Sequence, residues 1–301
     1  MKVLIVVHDA QIREALELRF TERGREYLCL QLPGVISSEQ LPLFAANIDV
    51  VINALNIDSV QLESAELLAN LRTVAEACQR ASLPLIHLSD SQVFDTKDNS
   101  HRREHDSVST GGATAELLLA MEEIVSADSL QHIIVRTGPI FSGIGDNVMT
   151  RLLREFKKAQ CGETLSLSNS CKSIPVSNVD LARVLSAIVD QLSCGSKAWG
   201  TYHYASSDPA SHYHFAETVL AVASQFTDIH ERPLSLQPTT SDDPNWSRAQ
   251  LNCLSIRETF GIQQLPWRSF VVQAVTDFFE QQASLTSNRS IEIASSCIAP
   301  L

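Results

Sequence analysis

The stretch from Lys2 to Leu16 constrains the fold of the whole chain. It opens with Val3–Val7, a short and uniformly apolar run, which is typical of a strand covered on both faces of a parallel sheet. A helical pattern follows immediately. A strand-to-helix turn that holds a phosphate normally carries glycines, because the backbone must approach the phosphate closely. This turn has none, since the first glycine is Gly24, so the architecture of a nucleotide-binding unit is predicted without its phosphate-binding turn.

Composition excludes several classes of protein. The chain has 301 residues, of which 44% are hydrophobic and 19% charged, as in an ordinary soluble globular protein. Its net charge of -12 argues against nucleic-acid and anionic-membrane partners. No apolar run is long enough for a membrane helix or a signal peptide. The seven cysteines include no C-x-x-C pair, which favours reduced thiols in a cytoplasmic protein over disulfides or a zinc site.

Apolar runs and helical periodicities alternate along the first half of the chain. This alternation favours an α/β fold, a doubly wound parallel sheet with helices on both faces. Strands are predicted at Val3–Val7, Tyr27–Leu32, Asp49–Asn53, Leu83–Leu88 and His132–Val135, and helices at Gln11–Thr21, Ser64–Arg80 and Gly112–Val125. In the less regular second half, helices are predicted at Asn147–Ala159, Asn178–Leu192, Tyr213–Gln225 and Trp267–Gln281, with strands at Thr201–Ala205 and Leu234–Gln237.

A series of short motifs resembles one family in sequence order. The motifs are Asp49–Ala54 (D-V-V-I-N-A), Leu85–Ser89 with Val93–Asp95, Val135–Thr137, Gly145–Asn147, Pro175 with Asp180–Ala182, Gly200–Tyr204, Phe215–Glu217, and Phe260–Ile262 with Pro266–Arg268. In this order the chain resembles the dTDP-4-dehydrorhamnose reductases (RmlD-like), an extended branch of the short-chain dehydrogenase/reductase superfamily. The resemblance covers the chain from Met1 to about Gln281.

The resemblance implies a Rossmann-like domain with a smaller substrate-binding lobe for a sugar nucleotide. We expect the Rossmann-like domain at residues 1–148 plus 174–207 and the lobe at 149–173 plus 208–281. The Ser-rich residues 282–301 are expected to form a mobile tail.

The chain departs from this family at the cofactor turn. The family opens with G-A-N-G-Q-L-G, and its three glycines fall on Val7, Ala10 and Arg13. The β-branched Val7 resists positive φ, and a side chain at Ala10 intrudes where backbone would approach a phosphate. The second strand runs into residues 31–33, which carry no charge for a ribose hydroxyl or a 2′-phosphate. We therefore expect no cofactor, or NADP or NAD if the chain is an active reductase.

Arg13 has two interpretations. Its guanidinium can bind a phosphate as a charged fork, or it can be a solvated helix residue that pairs with Asp9. Asp9 adds negative charge beside a helix N-terminus that would otherwise attract phosphate.

The catalytic motif of the superfamily is also missing. The resemblance implies a Tyr-x-x-x-Lys pair, in which the tyrosine donates a proton to the carbonyl, plus a Ser or Thr hydroxyl. None of the four tyrosines has a lysine four residues later. The family's tyrosine and lysine align with Gly111 and Ala115, its threonine with Asp90 and its neighbouring tyrosine with Gln92. No catalytic set is therefore intact.

The substrate side keeps more of the family pattern. The candidate ligand-pocket residues are Ser89, Gln92, Asn147 and Lys172. Asn147 has a second interpretation as a helix cap, and Lys172 can meet a phosphate as a point charge. We expect an open pocket beside Asn147 and Lys172, and a space under the first helix that Val7 and Arg13 close. The histidines at 203, 212 and 214 lack metal-site spacing, so no metal is expected.

Two functions remain open. The first is a non-catalytic sugar-nucleotide-binding or regulatory protein on a reductase scaffold, which acts with a nucleotide ligand and through a protein partner or a homo-oligomer. Relatives of this family include a regulatory subunit of methionine adenosyltransferase. The alternative is an NAD(P)H-dependent reductase of a nucleotide-linked 4-keto sugar. Losing the acid, its lysine and the phosphate turn together favours the first.

Overall fold

A computed structural model describes residues 1–8, 10–31, 36, 41, 47–54, 64–94, 101–108, 112–231, 234–243 and 246–296. The strands are β1 (Val3–Val7), β2 (Tyr27–Gln31), β3 (Val50–Ala54), β4 (Leu85–Asp90), β5 (His101–Arg102), β6 (His132–Thr137), β7 (Ile140–Phe141), β8 (Thr164–Ser168), β9 (Lys172–Ser173), β10 (Val176–Ser177), β11 (Gly200–Tyr204), β12 (Ala210–Ser211), β13 (Ser235–Thr239) and β14 (Gln250–Leu251). The helices are α1 (Ala10–Glu22), α2 (Ser64–Ala81), α3 (Ala113–Asp128), α4 (Val148–Lys158), α5 (Asn178–Ser193), α6 (His212–Ala223), α7 (Thr227–His230), α8 (Leu254–Phe260) and α9 (Val271–Ser296).

Six strands form a parallel central sheet in the order β2-β1-β3-β4-β6-β11. The chain moves outward from β1 to β2 and then returns to the other side of β1 to form β3. The α/β, doubly wound fold expected from the sequence is confirmed. The carboxyl ends of all six strands lie at one edge of the sheet, and in such a fold ligands bind outside that edge, where the strand order reverses.

Apolar side chains fill the space on both faces of the sheet. On one face, α1 and α5 pack against alternate strand residues such as Ile5 and Ile133, together with α8. On the other face, α2 and α3 cover the residues in between, such as Leu4 and Ile134. Burial of both faces is why the strands read as continuous apolar runs rather than as alternating patterns.

A third apolar cluster lies beyond the carboxyl edge of the sheet. It is formed by α4, α6 and α9, with Phe215 at its centre in ring contact with Phe141, Trp246 and Trp267. The parallel pair β8–β13 covers this cluster. Gly143 lies where the loop after β7 meets α9, since a Cβ at that position would lie 2.2 Å from the carbonyl oxygen of Ala274.

The structure differs from the sequence predictions at two elements. The last helix continues past Gln281 to Ser296, where a mobile tail was expected from residue 282, because the chain has neither glycine nor proline between those residues to end it. The sequence also gave no sign of α8, whose seven residues are too few for a clear periodicity. Within the described part of the chain, no helix has the length and apolar character to cross a lipid bilayer.

Candidate functional site

Val7 ends β1 at the point where the strand order reverses. Its side chain is fully buried and belongs to the core beneath α1. The register places it between Gln31 of β2 and Ala54 of β3. The isopropyl group therefore occupies interior space where the family's first glycine leaves the turn open.

The first turn of α1 packs against the loop before α4. Gln11 is 1% exposed, and its backbone carbonyl accepts a hydrogen bond of 2.8 Å from Asn178 Nδ2. Neither side-chain amide atom of Gln11 has a hydrogen-bond partner among the described residues. Gly145 faces Gln11 with φ +74°, and a Cβ there would lie 3.5 Å from the Gln11 Cβ. The helix start and the loop thus form one closed wall.

Arg13 lies over the end of β2. Its Nη1 donates to Gln31 Oε1 at 3.1 Å, and the guanidinium also lies 3.6 Å from Glu14 and 4.0 Å from Glu17. Acidic and amide groups of the same surface therefore surround this charge. Asp9, its predicted partner, lies outside the described residues.

Asp90 lies at the carboxyl end of β4, where the resemblance predicts the family's catalytic threonine. Its Oδ1 caps a single helical turn by accepting a hydrogen bond of 2.8 Å from the backbone N–H of Gln92. The same oxygen lies 3.7 Å from Nε of Arg248, and the Arg248 side chain is 8% exposed. Ala115 is buried on α3, and Gly111 lies outside the described residues. Asp90 is therefore engaged both in a helical cap and in an ion pair.

Ser89 belongs to a buried polar network rather than to the pocket. Its Oγ donates to Glu122 Oε1 at 2.5 Å. Arg136 donates to both oxygens of Glu122, at 2.9 and 2.6 Å, and Nη1 of Arg136 also reaches the carbonyl of Glu104. The Ser89 hydroxyl thus binds a carboxylate that already forms a bidentate ion pair, and its place in a ligand pocket stays a prediction.

Two histidines lie buried near this network. Burial lowers the pKa of His87 to about 4, and Asn53 lies beside it, with Nδ2 2.8 Å from Nδ1. Burial likewise lowers the pKa of His203 to about 4, and its Nδ1 lies 3.1 Å from the carbonyl oxygen of Arg102. Both rings are neutral at physiological pH.

A pocket of about 310 Å³ opens beside Asn147. The described residues that line it are Pro139, Ile140, Asp146, Asn147, Val148, Arg151, Leu152, Glu155, His212, Asp243, Trp246 and Arg248. Asn147 is the N-cap of α4, and its Oδ1 accepts hydrogen bonds from the backbone N–H groups of Met149 and Thr150. Its Nδ2 donates to Ser142 Oγ and to the carbonyl of Ile144. Asn147 is therefore both a helix cap and part of the pocket wall.

The opposite wall of the pocket comes from α6 and the loop before β14. His212 Nδ1 lies 2.7 Å from Asp243 Oδ2, and its ring stacks on Trp246 with a centroid distance of 4.9 Å and an interplanar angle of 7°. Arg248 joins this wall to Asp90. Sequence reasoning missed these residues, because the loop that carries three of them contacts α6 only in the folded chain.

Lys172 is exposed on β9 and does not line this pocket. Its backbone oxygen accepts a hydrogen bond of 3.4 Å from the Arg248 N–H. The strand is therefore next to the pocket, whereas the ammonium group is not part of the lining. Gln92 is half-buried in the turn that Asp90 caps. In the described residues, no group of three or more His, Cys, Asp or Glu side chains is arranged to hold a metal ion.

Comparison with known proteins assigns the chain to a family. The family described as the RmlD substrate binding domain matches residues 1–280. The chain belongs to this family. A dTDP-4-dehydrorhamnose reductase of Sinorhizobium fredii is 27% identical over 221 residues, which cover 70% of this chain and 73% of the relative.

Solved structures of similar proteins show the same fold. A dTDP-4-dehydrorhamnose reductase of Clostridium acetobutylicum superposes with a TM-score of 0.76 at 20% identity, covering 92% of this chain and 99% of the other. One from Bacillus anthracis, in complex with NADP, has a TM-score of 0.73 at 18% identity, with the same two coverages. The relatives named here are oxidoreductases.

Among the tyrosines of this RmlD-family chain, Tyr204 lies level with Asp90 in the central sheet. Both residues pair with Thr137 of the intervening strand β6, which puts Tyr204 two strands away, roughly 10 Å. Its hydroxyl donates to Asp180 at 2.5 Å and also lies 2.9 Å from Arg183. Burial and then the Asp180 carboxylate raise the pKa of Tyr204. A tyrosine held this way is a poor proton donor at physiological pH.

Proposed function

We propose that this chain is a nucleotide-sugar-binding member of the RmlD family that does not reduce its ligand by the family's tyrosine–lysine route. The proposal is supported by one observation. A pocket bounded by Asn147 lies beside an ion pair of Asp90 and Arg248, at the place where the family's reaction centre is expected. Binding and reduction are thus expected to have separated in this chain.

The pocket has the character of a small-ligand site. Its volume of about 310 Å³ lies at the lower end of the range for such sites. The N-terminal turn of α4 and two guanidinium groups, those of Arg151 and Arg248, border it. A helix N-terminus and arginines favour anionic groups, and a nucleotide sugar carries such a group in its diphosphate.

The described residues at the cofactor side do not fit a nicotinamide dinucleotide held in the family's manner. Val7 fills the turn with buried apolar atoms, Gln31 replaces an acidic residue at the end of β2, and Ala115 replaces the lysine. Arg13 is engaged with Gln31 and two glutamates. We therefore propose that NAD(P) is not a resident cofactor.

The second candidate function is a reductase of a nucleotide-linked 4-keto sugar. It is favoured by the relatives, because those named above are reductases and one of their structures contains NADP. The relatives alone therefore favour an NAD(P) cofactor, whereas the residues of this chain's own turn argue against one. An active enzyme would need a proton donor other than the tyrosine, and Asp90 is the acid at that position.

Two measurements on the purified chain separate these functions. In titration calorimetry, dTDP-glucose should bind, and Arg248→Met should weaken binding about tenfold. Arg72→Met removes an exposed arginine outside the pocket and should leave binding unchanged. NADPH oxidation driven by dTDP-4-dehydrorhamnose should stay at the buffer background. Turnover that Asp90→Asn abolishes would establish the reductase instead, and absence of dTDP-glucose binding would remove the binding function.

A regulatory role through a protein partner, or assembly into a homo-oligomer, extends the same proposal. A protein that binds a ligand without converting it would act through a partner protein. Relatives of this family include such a regulatory subunit. Analytical ultracentrifugation with and without dTDP-glucose tests whether the ligand changes the assembly state.

A further inference from the structure

The wall of the pocket opposite Asn147 contains an acid–imidazole pair that the family motifs do not include. Asp243 Oδ2 lies 2.7 Å from Nδ1 of His212, and the Asp243 carboxylate also accepts from the backbone N–H of Trp246 at 3.3 Å. The indole lies flat against the imidazole. Two neighbours therefore fix the ring in position and orientation, and Nε2 is the ring nitrogen left for a ligand.

The charge of the pocket lining depends on this imidazole. The lining contains two guanidinium groups, Arg151 and Arg248, and three carboxylates, Asp146, Glu155 and Asp243. With a neutral His212 the lining is negative by one charge, which opposes an anionic ligand. A proton on His212 removes that excess and turns Nε2 into a donor. Imidazole is the side chain in this lining that ordinarily changes charge between pH 5 and 8.

Three of the other four charged side chains of the lining have a charged partner. Asp146 lies 2.7 Å from Arg154 and 3.7 Å from Arg151, and Arg248 lies 3.7 Å from Asp90. The backbone of α6 begins at His212 itself, so its helix dipole adds positive potential at the same place.

We propose that His212, held by Asp243 and stacked on Trp246, is a protonation-dependent anchor for the diphosphate of a nucleotide sugar. The inference rests on the proposed binding function. The imidazolium donates Nε2–H to a phosphate oxygen, and deprotonation removes both the donor and the positive charge. Ligand binding by this chain is therefore controlled by pH at a residue of the lobe, far from the family's catalytic motif in sequence.

The test is a pH series of calorimetric titrations with dTDP-glucose. This probe suits the question, because a diphosphate esterified at both ends keeps its charge across the range. Affinity should fall about tenfold between pH about 6 and pH about 8. His212→Gln should bind at pH about 6 as weakly as the wild type does at pH about 8, and should lose the pH dependence. Asp243→Asn removes the acceptor that holds the imidazole and should reduce the pH dependence of binding.

Two neighbouring residues provide matched controls. His214 is an exposed histidine on the same helix, and Asp242 is an exposed carboxylate next to Asp243. His214→Gln and Asp242→Asn should both retain wild-type affinity and pH dependence. If His212→Gln keeps the pH dependence, or binds like the wild type, the anchor is refuted while the binding function stands. If the folded wild type binds no dTDP-glucose at either pH, both proposals are overturned.

Discussion

The turn after β1 (the cofactor side) and the pocket beside Asn147 (the ligand side) use their side chains for different purposes. At the cofactor side, Val7 is part of the apolar core and Arg13 is paired on the surface. At the ligand side, Asn147 and His212 are fixed by hydrogen bonds and still line an open pocket. Apolar side chains thus fill the turn after β1 in this chain, whereas hydrogen bonds hold the wall of the pocket.

This difference separates fold from activity. The sheet and its helices form without a glycine in the turn after β1, so the RmlD fold alone does not establish reduction. The ion pair between Asp90 and Arg248 connects the two sides, since Arg248 lines the pocket and Asp90 lies at the carboxyl end of β4.

The largest expected effect is on stability at the cofactor side. Val7→Ala should lower the free energy of unfolding by about 2–3 kcal/mol, because it leaves a cavity in a fully buried site. Val179→Ala, at a side chain that is 44% exposed, is the control and should change it by less than about 0.5 kcal/mol. Urea denaturation measures both. An unchanged stability in Val7→Ala would mean that this turn is not part of the core.

A lower pH should destabilise the fold, although it should increase the affinity of the pocket for its ligand. The folded chain holds His87 with a pKa of about 4, below its ordinary value, so the unfolded chain takes up the proton first as the pH falls. Stability should therefore be full above pH about 6.5 and decline toward pH about 4, by about 1–2 kcal/mol for this residue by pH about 5. Urea denaturation at pH about 7.5 and about 5 should show a smaller decline in His87→Gln. If the stability of His87→Gln declined as much as that of the wild type, the pH dependence would come from other groups.

Variants of Asn147 should separate its role as a helix cap from its role in ligand binding. Asn147→Ala should cost about 1 kcal/mol of stability through loss of the cap and should also weaken dTDP-glucose binding. Asn147→Asp keeps an oxygen for the cap, so its stability should be close to wild type, while its added charge should weaken binding. Asn252→Ala, which removes a cap contact to Leu254 at 2.9 Å, should lower stability alone. Wild-type affinity in both Asn147 variants would limit this residue to its cap.

The smallest expected effect comes from the ion pair of Asp90 and Arg248, which connects the two sides of the cleft. Asp90→Asn should lower stability by about 0.5–1 kcal/mol, since it breaks an ion pair of 3.7 Å and keeps the capping oxygen. Binding of dTDP-glucose should become about twofold tighter, because Arg248 loses its counter-charge. Asp128→Asn, which breaks the pair with Arg72 at 3.6 Å, should leave binding unchanged. Weaker binding in Asp90→Asn would place the carboxylate itself in contact with the ligand.

The sequence predicts the sheet well and the pocket only in part. The strand Val3–Val7 and the helices around Leu71 and Leu181 follow from apolar runs and periodicities that local sequence contains. Asn147 was identified because a motif marks it. Arg248, His212 and Asp243 were missed, because they converge only when the loop before β14 packs against α6. The contact of Ser89 with Glu122 was not foreseen either, because Glu122 lies on a helix remote in sequence.

A pair of titrations on the same preparation, with dTDP-glucose and with NADPH, compares the two sides of the cleft directly. We expect saturable heat for dTDP-glucose, which His212→Gln weakens, and no binding of NADPH at physiological concentration. The opposite result, micromolar affinity for NADPH, would contradict the central claim, since it would mean that the turn closed by Val7 still accepts a nicotinamide dinucleotide.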